Sequence, residues 1–284
     1  MLSRRIAGLI HLFRPELPLA AGICTVCGQV LALGRLPPFW TGILAFTCVF
    51  CLSASALILN DLFDYEVDKI NAPSRPLPSG MVSKTDVVWL GAAVTLVGLL
   101  SALALSLVTL LAAGVIWLIG FLYNWRYKQA GLIGNLMVAF SVACTFLFGA
   151  ISVQAAWNGS VWIFSLMAFF IDLGEEIAGD AMDMEGDQRR SSRSLALQKG
   201  KHFAVRTAVA CWVGVILLGL LPVWIGTQGW LYLTFILATD VLIVIFSIRL
   251  LQSKTPAEGR RAMRGVYLGA TLCVLAFLLG RLAG

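Results

Sequence analysis

Nine apolar stretches, each about twenty residues long, follow one another along this chain: 14–34, 39–60, 87–107, 108–124, 132–153, 160–179, 205–225, 229–250 and 263–282. A helix of about 20 residues rises about 30 Å, the thickness of a bilayer's hydrocarbon core. Backbone groups in hydrocarbon have no water to bond, so such a stretch crosses as a helix. One fold class follows: an all-α integral membrane protein with nine transmembrane helices. Charged residues make up 13% of the 284, about half of the ~25% usual in soluble domains. That excludes a large soluble core.

The basic residues set the orientation. With the N-terminus in the cytoplasm, 19 of the 21 Lys and Arg fall in segments on the inner side, and only Arg35 and Arg281 fall outside them. This is the positive-inside pattern, and it accounts for the net charge of +6 without nucleic acid as a partner. The C-terminus is then on the outer side. The first residues are too charged, and their apolar part too short, for a cleavable signal sequence. Cys24/Cys27 and Cys48/Cys51 form two C-x2-C pairs, but both lie inside apolar stretches with no His nearby. They read as small buried residues one helical turn apart rather than as metal ligands. No linker separates soluble domains. The expectation is one membrane domain over 1–284, with a first half of about 1–130, a second of about 131–252 and a ninth helix at about 263–282, arranged around a central cavity.

Two acidic clusters carry the chemistry. Asp61, Asp64 and Asp68 end the second stretch, and Asp180, Asp183 and Asp187 end the sixth. Both read D-x2-D-x3-D, and the second begins 119 residues after the first. Positions i, i+3 and i+7 share one helical face, so the carboxylates repel each other unless something cationic binds. Asn60 adds a neutral oxygen to the first cluster. Glu176 and Asp172 extend the second backward along the same face, into the membrane, where an acid is expensive and faces a polar cavity. Oxygen-rich, sulfur-free ligands suit Mg2+ that bridges to phosphate. The expected metal ligands are Asn60, Asp61, Asp64, Asp68, Glu176, Asp180, Asp183 and Asp187, holding two ions. Asp64, Asp68, Asp183 and Asp187 are the expected catalytic carboxylates, and Asp172 is a candidate proton acceptor.

Cations for a phosphate follow each cluster. Arg75 lies in the Pro-fixed NAPSRPLPSG; Tyr123, Arg126 and Lys128 end the fourth stretch; Arg190 and Lys199 follow the second cluster. Arg grips phosphate oxygens with paired bonds and Lys acts as a point charge. Metal ions across a diphosphate make it a good leaving group. If the other end is an allylic isoprenoid, the cation left behind must be kept from water, and an apolar space between helices does that. Aromatic faces stabilise such a cation. Phe63, Tyr65, Tyr123, Phe140, Phe146, Phe148, Phe169 and Phe170 are the candidates, most of them expected to serve ordinary packing.

NDLFDYEVDKINAPSRPLPSG (60–80) and GEEIAGDAMDMEGD (174–187), with Arg14-Pro15 and YNWRYKQAGLIGNLMVA (123–139), resemble the signatures of the UbiA superfamily of intramembrane prenyltransferases. The likeness covers most of the chain. It implies nine helices around a laterally open cavity, with a Mg2+-bound diphosphate under a cytoplasmic cap. The RPLPSG tail and the form of the second signature look most like the digeranylgeranylglyceryl phosphate synthase branch. That branch implies prenyl transfer from a polyprenyl diphosphate to a lipophilic acceptor, geranylgeranylglyceryl phosphate, at the bilayer. Acceptors of the aromatic, quinone-precursor or chlorophyllide type, and intramolecular terpene cyclisation, are the alternative enzyme readings. Ion or phosphate transport is the non-enzyme reading, disfavoured because the short outer loops carry no matching polar clusters. No protein partner is evident.

Overall fold

The computed structural model describes residues 2–189, 192–226 and 229–283. Its helices are α1 (Leu2–Leu12), α2 (Glu16–Leu33), α3 (Phe39–Phe63), α4 (Tyr65–Asn71), α5 (Lys84–Leu105), α6 (Leu107–Leu122), α7 (Leu132–Ser152), α8 (Gly159–Met182), α9 (Met184–Arg189), α10 (Leu195–Lys199), α11 (Lys201–Trp224), α12 (Trp230–Leu251) and α13 (Pro256–Ala283). No strand occurs among the described residues. Eight helices are long and apolar enough to cross a bilayer: α2, α3, α5, α6 with the turn that follows it, α7, α11, α12 and α13. The sixth expected span is α8. It is equally long at 24 residues, but Asp172, Glu175, Glu176 and Asp180 set its composition apart.

Local chemistry fixes where the helices start. Ser83 and Asp86 form a reciprocal capping box at α5, which satisfies two otherwise orphaned N–H groups. Asn158 accepts from the amides of Ser160 and Val161 to open α8, and its Nδ2 donates to the carbonyl of Ala32 at the end of α2. Exposed Trp40, Trp157, Trp162, Trp224 and Trp230 ring one end of the bundle, and Trp89 and Trp125 flank the other. Tryptophan at both ends of apolar helices is the pattern of membrane–water interfaces.

The packing repeats in two sets. α2 lies on α3, α3 on α5 and α5 on α6; in parallel, α7 lies on α8, α8 on α11 and α11 on α12. α13 then packs on α12, α8 and α2. The two sets meet where α2 crosses α7. There a Cβ on Gly28 would lie 2.2 Å from the carbonyl oxygen of Phe146, and one on Gly149 would lie 2.1 Å from that of Thr25. Only glycine permits this approach, in the small-residue mode by which membrane helices associate. Gln29 Nε2 donates to Ser152 Oγ across the same contact at 2.8 Å. Beside it, Trp212, Tyr232, Phe277 and Met167 fill a core between α8, α11, α12 and α13. Cys27, Cys48 and Cys51 are buried thiols in this helical packing.

Replacing Gly149 by Ala should force α2 and α7 apart and cost about 1–3 kcal/mol, the usual penalty of overpacking. Gly114→Ala on α6, where an added Cβ meets nothing within 4 Å, should leave the melting temperature in detergent unchanged or raised. Equal effects of the two substitutions would contradict this view of the crossing.

Candidate functional site

The middle aspartate of each acidic triple interrupts its helix. Asp64 closes α3 and opens α4 with φ −84° and ψ 1°. Asp183 closes α8 ahead of α9 with φ −113° and ψ 18°. The continuous acidic face expected from the spacing is therefore a long helix, a break and a short helix, twice over. The breaks are tight. Asp68 N–H donates to the carbonyl of Asp64 at 2.8 Å, and Asp187 N–H to that of Asp183 at 3.0 Å. Each triple thus wraps around a corner instead of lining one stripe.

Both corners open on the same cavity, of about 600 Å³. Asp64 and Asp68 border it from one side and Glu176, Asp180, Asp183 and Asp187 from the other, with Asn60, Tyr123 and Asn135 between them. Three cations enter. Lys128 Nζ donates to Asp64 Oδ2 at 2.5 Å and to Asn60 Oδ1 at 2.8 Å. Arg75 donates to Asp68 Oδ2 at 2.5 Å and lies 3.8 Å from Asp61. Arg14 pairs with Asp61. Burial opposes the charge on Arg75, but its hydrogen bond to Asp68 and the fields of Asp68, Asp61 and Asp64 outweigh it and raise its pKa above the ordinary value. On the second corner, Asn135 Nδ2 donates to Asp180 Oδ2 at 2.9 Å, and Arg260 of α13 pairs with Asp183.

The expected residues divide by where the chain puts them. Asn60, Asp64, Asp68, Arg75, Tyr123, Lys128, Glu176, Asp180, Asp183 and Asp187 border the cavity. Asp61 is 1% exposed and turns to Arg14 behind the wall. Arg126 and Lys199 do not come to the cavity. Tyr123–Tyr127 form a π-turn in which Lys128 N–H donates to the carbonyl of Tyr123, five residues back. The widened turn presents Tyr123 and Lys128 to the cavity and leaves Arg126 exposed on the other side. Such turns collect at functional sites. Lys199, also exposed, lies over the ring of Phe203 at 4.9 Å. Arg190 lies outside the described residues. Arg14, Asn135, Gln129 and Ser192 border the cavity without having been expected there. Arg14 had a signal, the Arg-Pro pair before α2; Gln129 and Asn135 lie within the 123–139 stretch that resembles the family's, but no feature of their own marked them as cavity residues.

Below the polar cavity lies an apolar one of about 620 Å³. The two share Asn60, Tyr123, Lys128 and Glu176. Asp172 and Tyr267 reach into its upper part, and Leu57, Met137, Val138 and Val142 line its walls. It continues into a deeper space of about 210 Å³ bounded by Val49, Leu52, Trp117 and Phe148. Of the eight candidate aromatic residues, Tyr123 and Phe148 border these spaces; Phe146 packs edge-on against Phe164, and Phe63 against Phe121.

The donor set suits a divalent cation that arrives with its phosphate. Among the described residues no three His, Cys, Asp or Glu side chains converge as a self-sufficient metal cage. Mg2+ usually takes one or two carboxylates and completes its shell with water and substrate phosphates. Asp61 Oδ2 and Asp172 Oδ2 are buried without a hydrogen-bond partner, but neither residue borders the polar cavity. Two loops meet at this end. Arg193 N–H donates to the carbonyl of Gln129 at 3.1 Å, and at Gly131, with φ +62°, a Cβ would lie 1.8 Å from the carbonyl oxygen of Arg193. Gly131→Ala should part the two loops and speed proteolytic cleavage between α9 and α10. A cleavage rate equal to wild type would show that the contact is dispensable.

The UbiA prenyltransferase family matches residues 21–278. The digeranylgeranylglyceryl phosphate synthase of Thermococcus kodakarensis is 33% identical over 96% of this chain and 97% of its own. A solved structure of a digeranylgeranylglyceryl phosphate synthase superposes with a TM-score of 0.86 at 27% identity, covering 99% of both chains. A UbiA homologue from Archaeoglobus fulgidus bound to GPP and Mg2+ shares the fold, with a TM-score of 0.67 at 15% identity, over 98% of this chain and 100% of that one.

Proposed function

The chain belongs to the UbiA prenyltransferase family, and from that premise we propose that it transfers a prenyl group from a polyprenyl diphosphate to geranylgeranylglyceryl phosphate at the inner face of a membrane. It is an integral, multi-pass membrane prenyltransferase that depends on a divalent metal. The observation that carries the finer reading is the shared cavity: two acidic corners and three cations above an apolar chamber. That is the shape of an amphiphile with a diphosphate head and a hydrocarbon tail. The acceptor is proposed from the relatives of similar length, which are named for it.

Asn60, Asp64 and Asp68 on one corner and Glu176, Asp180, Asp183 and Asp187 on the other would hold two magnesium ions, with Asp61 setting the first corner from behind. When bound, these ions neutralise the diphosphate and make it a better leaving group. The protein's own part is electrostatic and positional. Arg14, Arg75 and Lys128 bring positive charge to the diphosphate oxygens as the C1–O bond breaks and its electron pair leaves with the diphosphate. Tyr123, at the junction of the two cavities, presents its ring where the allylic carbon would lie. The walls of Leu57, Val138 and Val142 keep water from that carbon. The acceptor's hydroxyl oxygen forms the new C–O bond, and its proton passes to Asp172, whose Oδ2 is unpartnered at the chamber's upper rim. We place the N-terminus and the polar cavity on the cytoplasmic side, from the distribution of Lys and Arg, and read the chain as one domain of two halves.

Purified protein given geranylgeranyl diphosphate, geranylgeranylglyceryl phosphate and Mg2+ should release inorganic diphosphate and form the second ether bond. EDTA should stop turnover and excess Mg2+ restore it. Asp64→Ala or Asp183→Ala should lower kcat/KM by about 10²–10³ or more, the scale of losing one transition-state charge contact, with the melting temperature little changed. Arg126→Ala and Lys199→Ala should stay near wild type. Turnover without acceptor would favour cyclisation, and metal flux into proteoliposomes without diphosphate release would favour transport. Asp172→Asn should lower kcat with little change in KM for the diphosphate; an unchanged kcat would remove Asp172 as proton acceptor.

A further inference from the structure

Five Lys and Arg stand between positions 249 and 264, against one acid, Glu258. α12 ends and α13 begins in this stretch, at the end of the bundle where Arg260 meets Asp183. The two helices leave a cavity of about 350 Å³ there, lined by Phe246, Arg249, Gln252, Ser253, Glu258 and Arg261. It shares no residue with the polar cavity or with the apolar chamber below that one. The guanidinium of Arg249 lies over the ring of Phe246 at 5.2 Å. That ring packs on Gly265 of α13, where a Cβ would lie 2.3 Å from it. Glu258 is already engaged. Its Oε2 accepts from the amides of Lys254 at 2.8 Å and Thr255 at 3.3 Å, and its own amide donates to Thr255 Oγ1 at 3.3 Å, a reciprocal cap that starts α13. Arg249 and Arg261 make no ion pair among the described residues.

We propose that this cavity takes the phosphate headgroup of an anionic membrane lipid. Two guanidiniums without an acidic partner are the donors such a phosphate needs, since Arg grips phosphate oxygens with paired bonds. Gln252 stands beside them as a neutral donor. The surroundings select a lipid over a free anion. Ile245, one turn from Arg249 on α12, and Leu268, two turns from Arg261 on α13, are both exposed. The cavity therefore sits where an apolar outer surface, covered by acyl chains in a bilayer, gives way to basic side chains. Basic pockets between membrane helices on the cytoplasmic side hold lipid headgroups in this way. A lipid seated here ties α12 to α13, the helix that brings Arg260 to Asp183 and Tyr267 to the apolar chamber. The site needs neither metal nor prenyl transfer.

The melting temperature of the full chain, purified in a neutral detergent without Mg2+, tests this. Soluble dihexanoylphosphatidylglycerol should raise it saturably. Dihexanoylphosphatidylcholine, which carries a phosphate but no net charge, and inorganic phosphate should not raise it at the same concentration. The rise should shrink as salt is added. Arg249→Gln together with Arg261→Gln should move the midpoint of the phosphatidylglycerol titration to a concentration about tenfold higher or more, since each basic contact at a membrane surface carries several-fold in affinity. Arg126→Gln together with Lys199→Gln removes the same charge elsewhere and should leave the midpoint where it is. Should the first pair fold poorly, Arg261→Gln alone, in the exposed first turns of α13, should still move the midpoint in the same direction. No rise with phosphatidylglycerol, or an equal rise with phosphatidylcholine, would overturn the site. An equal rise with inorganic phosphate would overturn the lipid as its occupant. A midpoint unmoved by the Arg249 and Arg261 changes, or moved as far by the Arg126 and Lys199 pair, would show diffuse charge in place of a built cavity.

Discussion

Like-charged carboxylates held around one small cavity constrain everything else in this protein. Asp64, Asp68, Glu176, Asp180, Asp183 and Asp187 border a common space, in the part of the molecule where α3 and α8 leave the apolar bundle. Their repulsion is offset in part by Lys128, Arg75, Asn135 and Arg260. Each partner comes from an element other than the one bearing its carboxylate, so the site is a meeting point of α3, α4, α7, α8, α13 and the segments after α4 and α6. The pairing is also exchangeable. A polyanion that arrives with metal can take the cations while the metal takes the carboxylates, and no charge is then left buried alone.

The bundle keeps that meeting point in register. The crossing of α2 on α7 through Gly28 and Gly149 brings the two sets of helices to backbone contact. α3 and α8 consequently end at the same side with their breaks facing each other. The segment after α4 is pinned by Leu77 and Val82, both buried against Leu12 and Val87, and this anchors Arg75 within reach of Asp68. At the other corner the Gly131–Arg193 contact joins the segment after α6 to the one after α9. Apolar space below and charge above are thus consequences of one helix arrangement.

The helices themselves were legible in the sequence because the bilayer makes apolar length the decisive variable. Eight expected spans coincide with helices of spanning composition, and the sixth with α8. The acidic triples were legible for the same reason, since carboxylates at the ends of apolar stretches are costly without a ligand. What escaped was set by local backbone. Arg126 and Lys128 look equivalent as letters, and only the π-turn at Tyr123–Tyr127 sends one to the cavity and the other away. The i, i+3, i+7 spacing suggested a straight face, whereas the middle aspartates turn the chain. Asn135 is an isolated polar residue within an apolar run, and its partner Asp180 is far away in sequence.

If both acidic corners grip one diphosphate through shared metal, Asp64 and Asp183 act as a unit. A double-mutant cycle of Asp64→Asn and Asp183→Asn, read as Mg2+-dependent binding of an unreactive thiolodiphosphate analogue of geranylgeranyl diphosphate by calorimetry, addresses it directly. The account expects each single change to remove most of the metal-dependent affinity and the double change to remove little more, a large coupling for groups that act through one ligand. Losses that simply add, or retained metal-dependent affinity in either single variant, would mean that the corners bind separately and that the account is wrong.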